Sequence, residues 1–139
     1  MSKKPAYLFV GVWDEKTPAE FPKMLFVFGD NLINRGEKGQ SIIRKCPNAI
    51  GIPTKKYPSM CSNAFFNDNE FKFNTEKIDN AFKTLVERLD KYEGVIFPAD
   101  GQQKYLTSLG IGLSQLPLRA PKTHEYLCNK IGQLVKSNS

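Results

Sequence analysis

The chain has few of the residues that build metal centres and disulfide frameworks. Among its 139 residues are three cysteines (Cys46, Cys61 and Cys128) and one histidine (His124). No two cysteines form a C-x-x-C pair, and an odd count argues against a disulfide framework. One histidine argues against a zinc site, so neither a metal nor a cofactor is expected. No apolar run approaches the length of a membrane span. The opening segment, MSKKP, lacks the apolar region of a signal peptide. The protein is therefore expected to be soluble and cytoplasmic. Also missing are a Walker loop and G-x-G-x-x-G, a G-x-S-x-G elbow, low-complexity tracts and internal repeats.

The rest of the composition is that of an ordinary globular domain, 40% hydrophobic and 24% charged. A chain of this length forms one domain, residues 1–139, and folding removes roughly 68% of its unfolded surface from water. The 20 Lys and Arg exceed the 14 Asp and Glu, and the net charge of +6 favours anionic partners. The basic residues are dispersed, with the clearest clusters at Lys3-Lys4, Arg44-Lys45 and Lys55-Lys56. A phosphate-bearing small molecule and a nucleic acid both fit that charge.

Residues 24–44, MLFVFGDNLINRGEKGQSIIR, organise the remainder. The apolar run 24–28 is too short for a helix and fits a strand buried on both faces. A polar loop with Gly29, Asp30, Asn31, Asn34, Arg35, Gly36 and Gly39 follows, and residues 40–45 read as the first turns of a helix. A strand, a glycine-bearing loop and a helix start bring backbone N–H groups together where an anion can sit. A surface turn between a core strand and a helix accounts for the same residues.

Residues 7–12 (YLFVGV) read as a first strand, and 13–23, with two prolines, as a connection. Residues 48–52 (NAIGI) form a brief strand that Pro53 is expected to stop. Residues 54–74 lack a sustained period and predict a long loop. Its Phe65, Phe66, Phe71 and Phe73 are better suited to anchoring it to the core than to stacking a ligand's base. Thr75 reads as the N-cap of a helix whose Ile78, Phe82, Leu85 and Leu89 share one face. Gly94 closes that helix, and the short strand 95–97 ends in Pro98, Ala99, Asp100 and Gly101. A glycine turn at 109–113 (LGIGL) leads to a last helix opened by Pro121, with Leu127, Ile131 and Leu134 on one face. This order predicts an α/β sandwich around a mixed or mostly parallel sheet with helices on both faces. Ligands in such sheets bind beyond the carboxyl ends of the strands.

The segments FGDNLINRGEKGQ, PNAIGIPTKKYPSM, FFNDNEF, FPADG and GIGLSQLPLRAPKTHEYL together resemble a set of small bacterial and phage proteins distantly similar to macrodomains. The resemblance implies a three-layer macrodomain-like fold and an ADP-ribose-type ligand, either free or carried on a modified target. It assigns Asn31, Gly36 and Gly39 to the distal ribose and diphosphate, and Gly110, Ile111 and Gly112 to a second loop over the phosphates. Gly29, Gln40 and Gly101 flank these positions and join the ligand-binding set. The first loop departs from better-known members in lacking a tight glycine cluster, and residues 102–108 lengthen the second. In a phage setting the resemblance implies interference with a nucleotide-based host defence.

Asp30 and Asp100 each follow a short strand, so a parallel sheet would turn both carboxylates to one crevice, as base and substrate orienter. With Asp30 activating water and Asn31 holding ribose hydroxyls, the protein would hydrolyse ADP-ribosyl groups. Equally, each Asp caps the next turn, and the protein binds or sequesters its ligand without turnover. Lys55 could neutralise phosphates at the rim, and Thr54 could donate its hydroxyl to the same ligand. A basic adaptor for nucleic acid is less favoured, because no recognised nucleic-acid motif or basic helix is present. His124 lacks an evident acidic or cysteine partner nearby and is read as structural or surface. Cys46 and Cys128 are read as small apolar residues.

Overall fold

The computed structural model describes residues 4–99, 107–111 and 114–137. Its centre is a four-stranded, all-parallel sheet of β1 (Ala6–Val10), β2 (Met24–Asn31), β3 (Ala49–Lys55) and β4 (Gly94–Ala99), ordered β1-β4-β2-β3. The two inner strands carry the continuous apolar runs, since a strand covered on both faces needs no polar side chain. No antiparallel pair occurs among the described strands, so the expectation narrows from mixed or mostly parallel to wholly parallel.

Topology explains where the helices lie. From β1 the chain skips one position to β2 and steps on to β3, then turns back to place β4 in the gap. Right-handed crossovers put the first two connections on one face and the return on the other. Accordingly α1 (Thr17–Glu20), Trp13 and a 3-10 turn (Gly39–Ile43) cover the face bearing Phe26, Phe28 and Ile96. The opposite face, with Leu25, Val27, Ile52, Val95 and Phe97, is covered by α2 (Phe71–Leu89) and α4 (Pro121–Ser137), which follows the short α3 (Leu116–Arg119). The first of these layers is thin, and the second holds the larger core.

The predicted buried face of α2 is realised by Ile78, Phe82, Leu85 and Leu89, and that of α4 by Leu127 and Ile131 with Leu134 partly buried. Phe65 and Phe66 are buried and anchor their loop, as expected, whereas Phe71 and Phe73, expected to do the same, lie in the first turn of α2 and are exposed. Four local expectations need correction. The connection 13–23 contains the one-turn α1. The helix expected to begin at Thr75 begins at Phe71, whose ring meets Tyr126 edge-on at 6.0 Å, so a tertiary contact starts it a turn early. The strand expected to end at Phe28 continues to Asn31, because Gly29, Asp30 and Asn31 pair with β3.

The strand expected to stop before Pro53 runs through it to Lys55. The Phe26 amide donates to the Asn48 carbonyl at 2.8 Å, so from Ala49 to Pro53, before the register shifts, the even-numbered residues of β3 turn their backbone groups to β2 and the odd-numbered ones turn theirs outward. Pro53 therefore directs its nitrogen away from the ladder on an edge strand, where the missing donor costs nothing.

Candidate functional site

The described elements that follow β2 and β4 lie on opposite faces of the sheet, and a crevice opens between the carboxyl ends of these adjacent strands. At its floor a β-bulge between Asp30 and Asn31 breaks the register with β3 and re-aims the side chains there. Gly29 is where the two loops come together. A Cβ at this position would lie 3.2 Å from Gln40 Oε1, 3.4 Å from Thr54 Oγ1 and 3.7 Å from the Gly110 amide nitrogen. A Cβ would already press on Gln40 Oε1, and a larger side chain would have to displace that group or its neighbours.

Gln40 fastens the arrangement. Its Oε1 accepts the Gly29 amide at 2.9 Å, and its Nε2 donates to the Ser108 carbonyl at 2.9 Å and to Ser108 Oγ at 3.2 Å. Trp13 Nε1 donates to the Gln40 carbonyl at 3.0 Å, fixing the backbone from the sheet side. Beyond Gly29, the Thr54 and Ser114 hydroxyls lie 2.7 Å apart. Gly110 has φ +81°, and a Cβ there would meet the Leu116 side chain at 2.9 Å, so this second glycine is required by its surroundings.

Three recesses lie in line along this edge. The middle one, about 270 Å³, is lined by Gly29, Lys38, Gly39, Gln40, Gly110, Ile111 and Ser114. Toward β3 it shares Gly29, Lys38 and Ser114 with a recess of about 350 Å³ that also holds Asp30, Asn31, Gly36, Arg44 and Lys55. Toward β1 it shares Gly39 and Gln40 with an apolar recess of about 330 Å³ beside Gly11, Val12 and Trp13. Gly29, Asn31, Gly36, Gly39, Gln40, Lys55, Gly110 and Ile111 are thus gathered on one edge, and Thr54 touches Ser114 beneath them. Asp100, Gly101 and Gly112 lie outside the described residues.

Asp30 is buried, and its carboxylate is engaged on both oxygens. Oδ1 accepts from Arg44 Nη2 at 2.5 Å and from the Asn31 amide at 2.8 Å, and Oδ2 accepts from Asn34 Nδ2 at 2.9 Å. Arg44 also donates to the carbonyls of Gly36 at 2.7 Å and Arg35 at 3.1 Å, and its guanidinium covers the Phe28 ring. Asn31 is occupied likewise. Its Nδ2 donates to the Arg35 carbonyl at 2.7 Å, and its Oδ1 accepts the Ile33 amide at 3.1 Å. Asp30, Asn31 and Arg44 together fold the loop at residues 31–36. Gly51 stands against this cluster, because a Cβ there would collide with the Asp30 carboxylate.

Lys55 is the most chemically distinctive group. It is 6% exposed, with Nζ 4.6 Å from the centre of the Phe65 ring and 3.6 Å from Met60 Sδ. Arg119 places its guanidinium 3.8 Å from the same ring centre. Burial, and then the Arg119 charge, hold the Lys55 ammonium below the ordinary lysine range. Lys55 lines the recess toward β3, where its charge favours an anion in or beside that recess, and a lysine easier to deprotonate is a better nucleophile.

Sequence reasoning gave no role to Ser108, Ser114 or Arg119, and it saw Arg44 only as part of a basic cluster. For Ser114 the adjoining G-I-G-L run was an available signal, whereas contacts across so many intervening residues leave no local pattern. For His124 the structural reading holds, and only the expected lack of a cysteine partner needs correction. It is buried, and Cys128 Sγ, one helical turn on, lies 3.5 Å from its Nε2. Burial lowers the histidine and raises the thiol, so both groups are pushed toward their neutral forms. Cys128 accordingly is no activated thiolate. Among the described residues no three His, Cys, Asp or Glu side chains converge as a metal site requires, and no helix is long and apolar enough to cross a membrane.

Residues 8–130 match the model of a family of unknown function, DUF7831. The chain belongs to that family. Searches of curated proteins and of solved structures return no match to it. Membership takes in β2, β3, β4, the latter part of β1, both glycine loops and most of α4, so the recesses described above are built from the family's own segment.

Proposed function

We propose that this protein binds an ADP-ribose-type nucleotide along the carboxyl edge of a macrodomain-like sheet. The observation that carries the reading is the meeting of Gly29, Gln40 and Gly110, which leaves a narrow glycine-lined recess between an apolar recess and a cationic one. A base, a diphosphate and a ribose present apolar, anionic and polar surfaces in that order. The base takes the recess beside Trp13, and the diphosphate takes the glycine-lined middle, where Cβ-free backbone permits close approach. The terminal ribose takes the recess of Lys55 and Ser114. Asp30 and Asn31 serve as organisers of the loop, since both side chains are already engaged within it. Calorimetry with ADP-ribose, NAD, AMP and pyrophosphate tests the reading. ADP-ribose should bind more tightly than either fragment, and absence of heat with all of them overturns it.

A second reading, removal of an ADP-ribosyl group, is favoured by the buried Lys55. Its amine, when unprotonated, can take a proton from a water that attacks the anomeric carbon; the bond to the target breaks as the new C–O bond forms, and the proton held by the lysine goes to the departing group. Lys55→Arg keeps a cation and removes that capacity, so binding without release of ADP-ribose from a modified target supports this role. Unchanged release in Lys55→Arg assigns the chemistry elsewhere, and no release by the native protein leaves a binding protein.

A further inference from the structure

The two edges of the sheet are finished differently. On β3, Arg88 Nη1 donates to the outward carbonyl of Ala49 at 2.9 Å, Pro53 removes a donor, and the Lys56 amide just past the strand donates to Ala64 at 2.7 Å. Such devices keep an edge from pairing with another chain. On β1 the Val95 amide donates to the Pro5 carbonyl at 3.0 Å and the Gly11 amide to the Ala99 carbonyl at 3.4 Å. Odd-numbered residues therefore face β4, and Ala6, Leu8 and Val10 turn their backbone N–H and C=O groups outward. No described strand lies beyond them. From residue 5 to residue 13 the sequence carries no charge, and Tyr7 (52%), Val10 (65%) and Val12 (98%) stand exposed.

We infer that β1 is a self-association edge that pairs antiparallel with β1 of a second copy about a twofold axis at Leu8. A twofold axis demands a strand complementary to itself, and an uncharged one satisfies this without like-charge contacts. The observed phase supplies the rest. With Leu8 opposite the partner's Leu8, Ala6 opposes the partner's Val10, and these are the residues whose polar backbone groups point outward. Each such pair exchanges two hydrogen bonds. Tyr7 then stands opposite the partner's Phe9 as a non-hydrogen-bonded aromatic pair, the closer of the two spacings. The two sheets become one continuous sheet of eight strands.

A five-residue edge buries less than the roughly 800 Å² per partner of a standard interface, so association is expected in the micromolar range. Sedimentation velocity from about 1 to about 500 µM brackets that range. The native protein should pass from monomer to dimer across it. Val10→Pro removes an outward donor without touching the ladder to β4 and should weaken the dimer at least about tenfold, with melting temperature unchanged. Val10→Lys, which places a charge on the same edge, should do the same and serves if the proline variant fails to fold. A native protein monomeric throughout, or a dimer indifferent to both substitutions, overturns the assignment.

Discussion

Gln40 and Ser108, 68 residues apart in sequence, are joined by a 2.9 Å hydrogen bond from Nε2 to the serine carbonyl, while the same side chain accepts the Gly29 amide. One carboxamide thereby sets the spacing of the two glycine loops. Gln40→Leu keeps the size and removes its bonds to the Gly29 amide and to the carbonyl and hydroxyl of Ser108, together worth about 2 kcal/mol. Nucleotide affinity should fall about tenfold or more, read by calorimetry. Melting temperature should drop by only roughly 5 °C.

The Asp30–Arg44 pair should be strongly coupled. Asp30→Ala leaves the mostly buried Arg44 guanidinium without its carboxylate, and removing one partner of such a pair costs about 3 kcal/mol or more. Replacing both with Asp30→Ala and Arg44→Met should cost less than the sum of the single changes, by about 1–3 kcal/mol. Urea unfolding of the three variants gives the coupling directly, and additive losses contradict the role assigned to the pair.

Lys55 should leave a mark on the alkaline side. Its folded pKa lies below the unfolded value of 10.5, so between the two the unfolded chain holds the extra proton, and stability rises with pH across that window. Lys55→Met should abolish that rise in urea titrations. Anion affinity should run the opposite way, weakening as pH climbs through the folded value and the ammonium is lost. A pyrophosphate titration at several pH values checks this.

His124 should act on the acid side. Burial lowers its pKa below 6.5, so as pH falls past 6.5 the unfolded chain takes up a proton that the folded chain refuses, and stability declines. His124→Leu should flatten this part of the stability profile. An unchanged acid limb would place the titration on other groups.

Much of this molecule follows from local pattern. The apolar spacing of Ile78, Phe82, Leu85 and Leu89, and of Leu127 and Ile131, fixes which sides of α2 and α4 are buried, because a helix repeats every 3.6 residues whatever it packs against. Short apolar runs followed by glycine and polar residues announce buried strands with loops at their ends, and Phe65 and Phe66 announce an anchored loop. The tertiary structure alone decided the strand order β1-β4-β2-β3, the outward turn that makes Pro53 tolerable, and the contact of Gln40 with Ser108. It alone decided that Asp30 is engaged by Arg44, and that Lys55 is buried beside Arg119. Periodicity is a property of neighbouring residues, whereas pairing order and buried polar contacts depend on which surfaces meet after the chain has crossed the sheet.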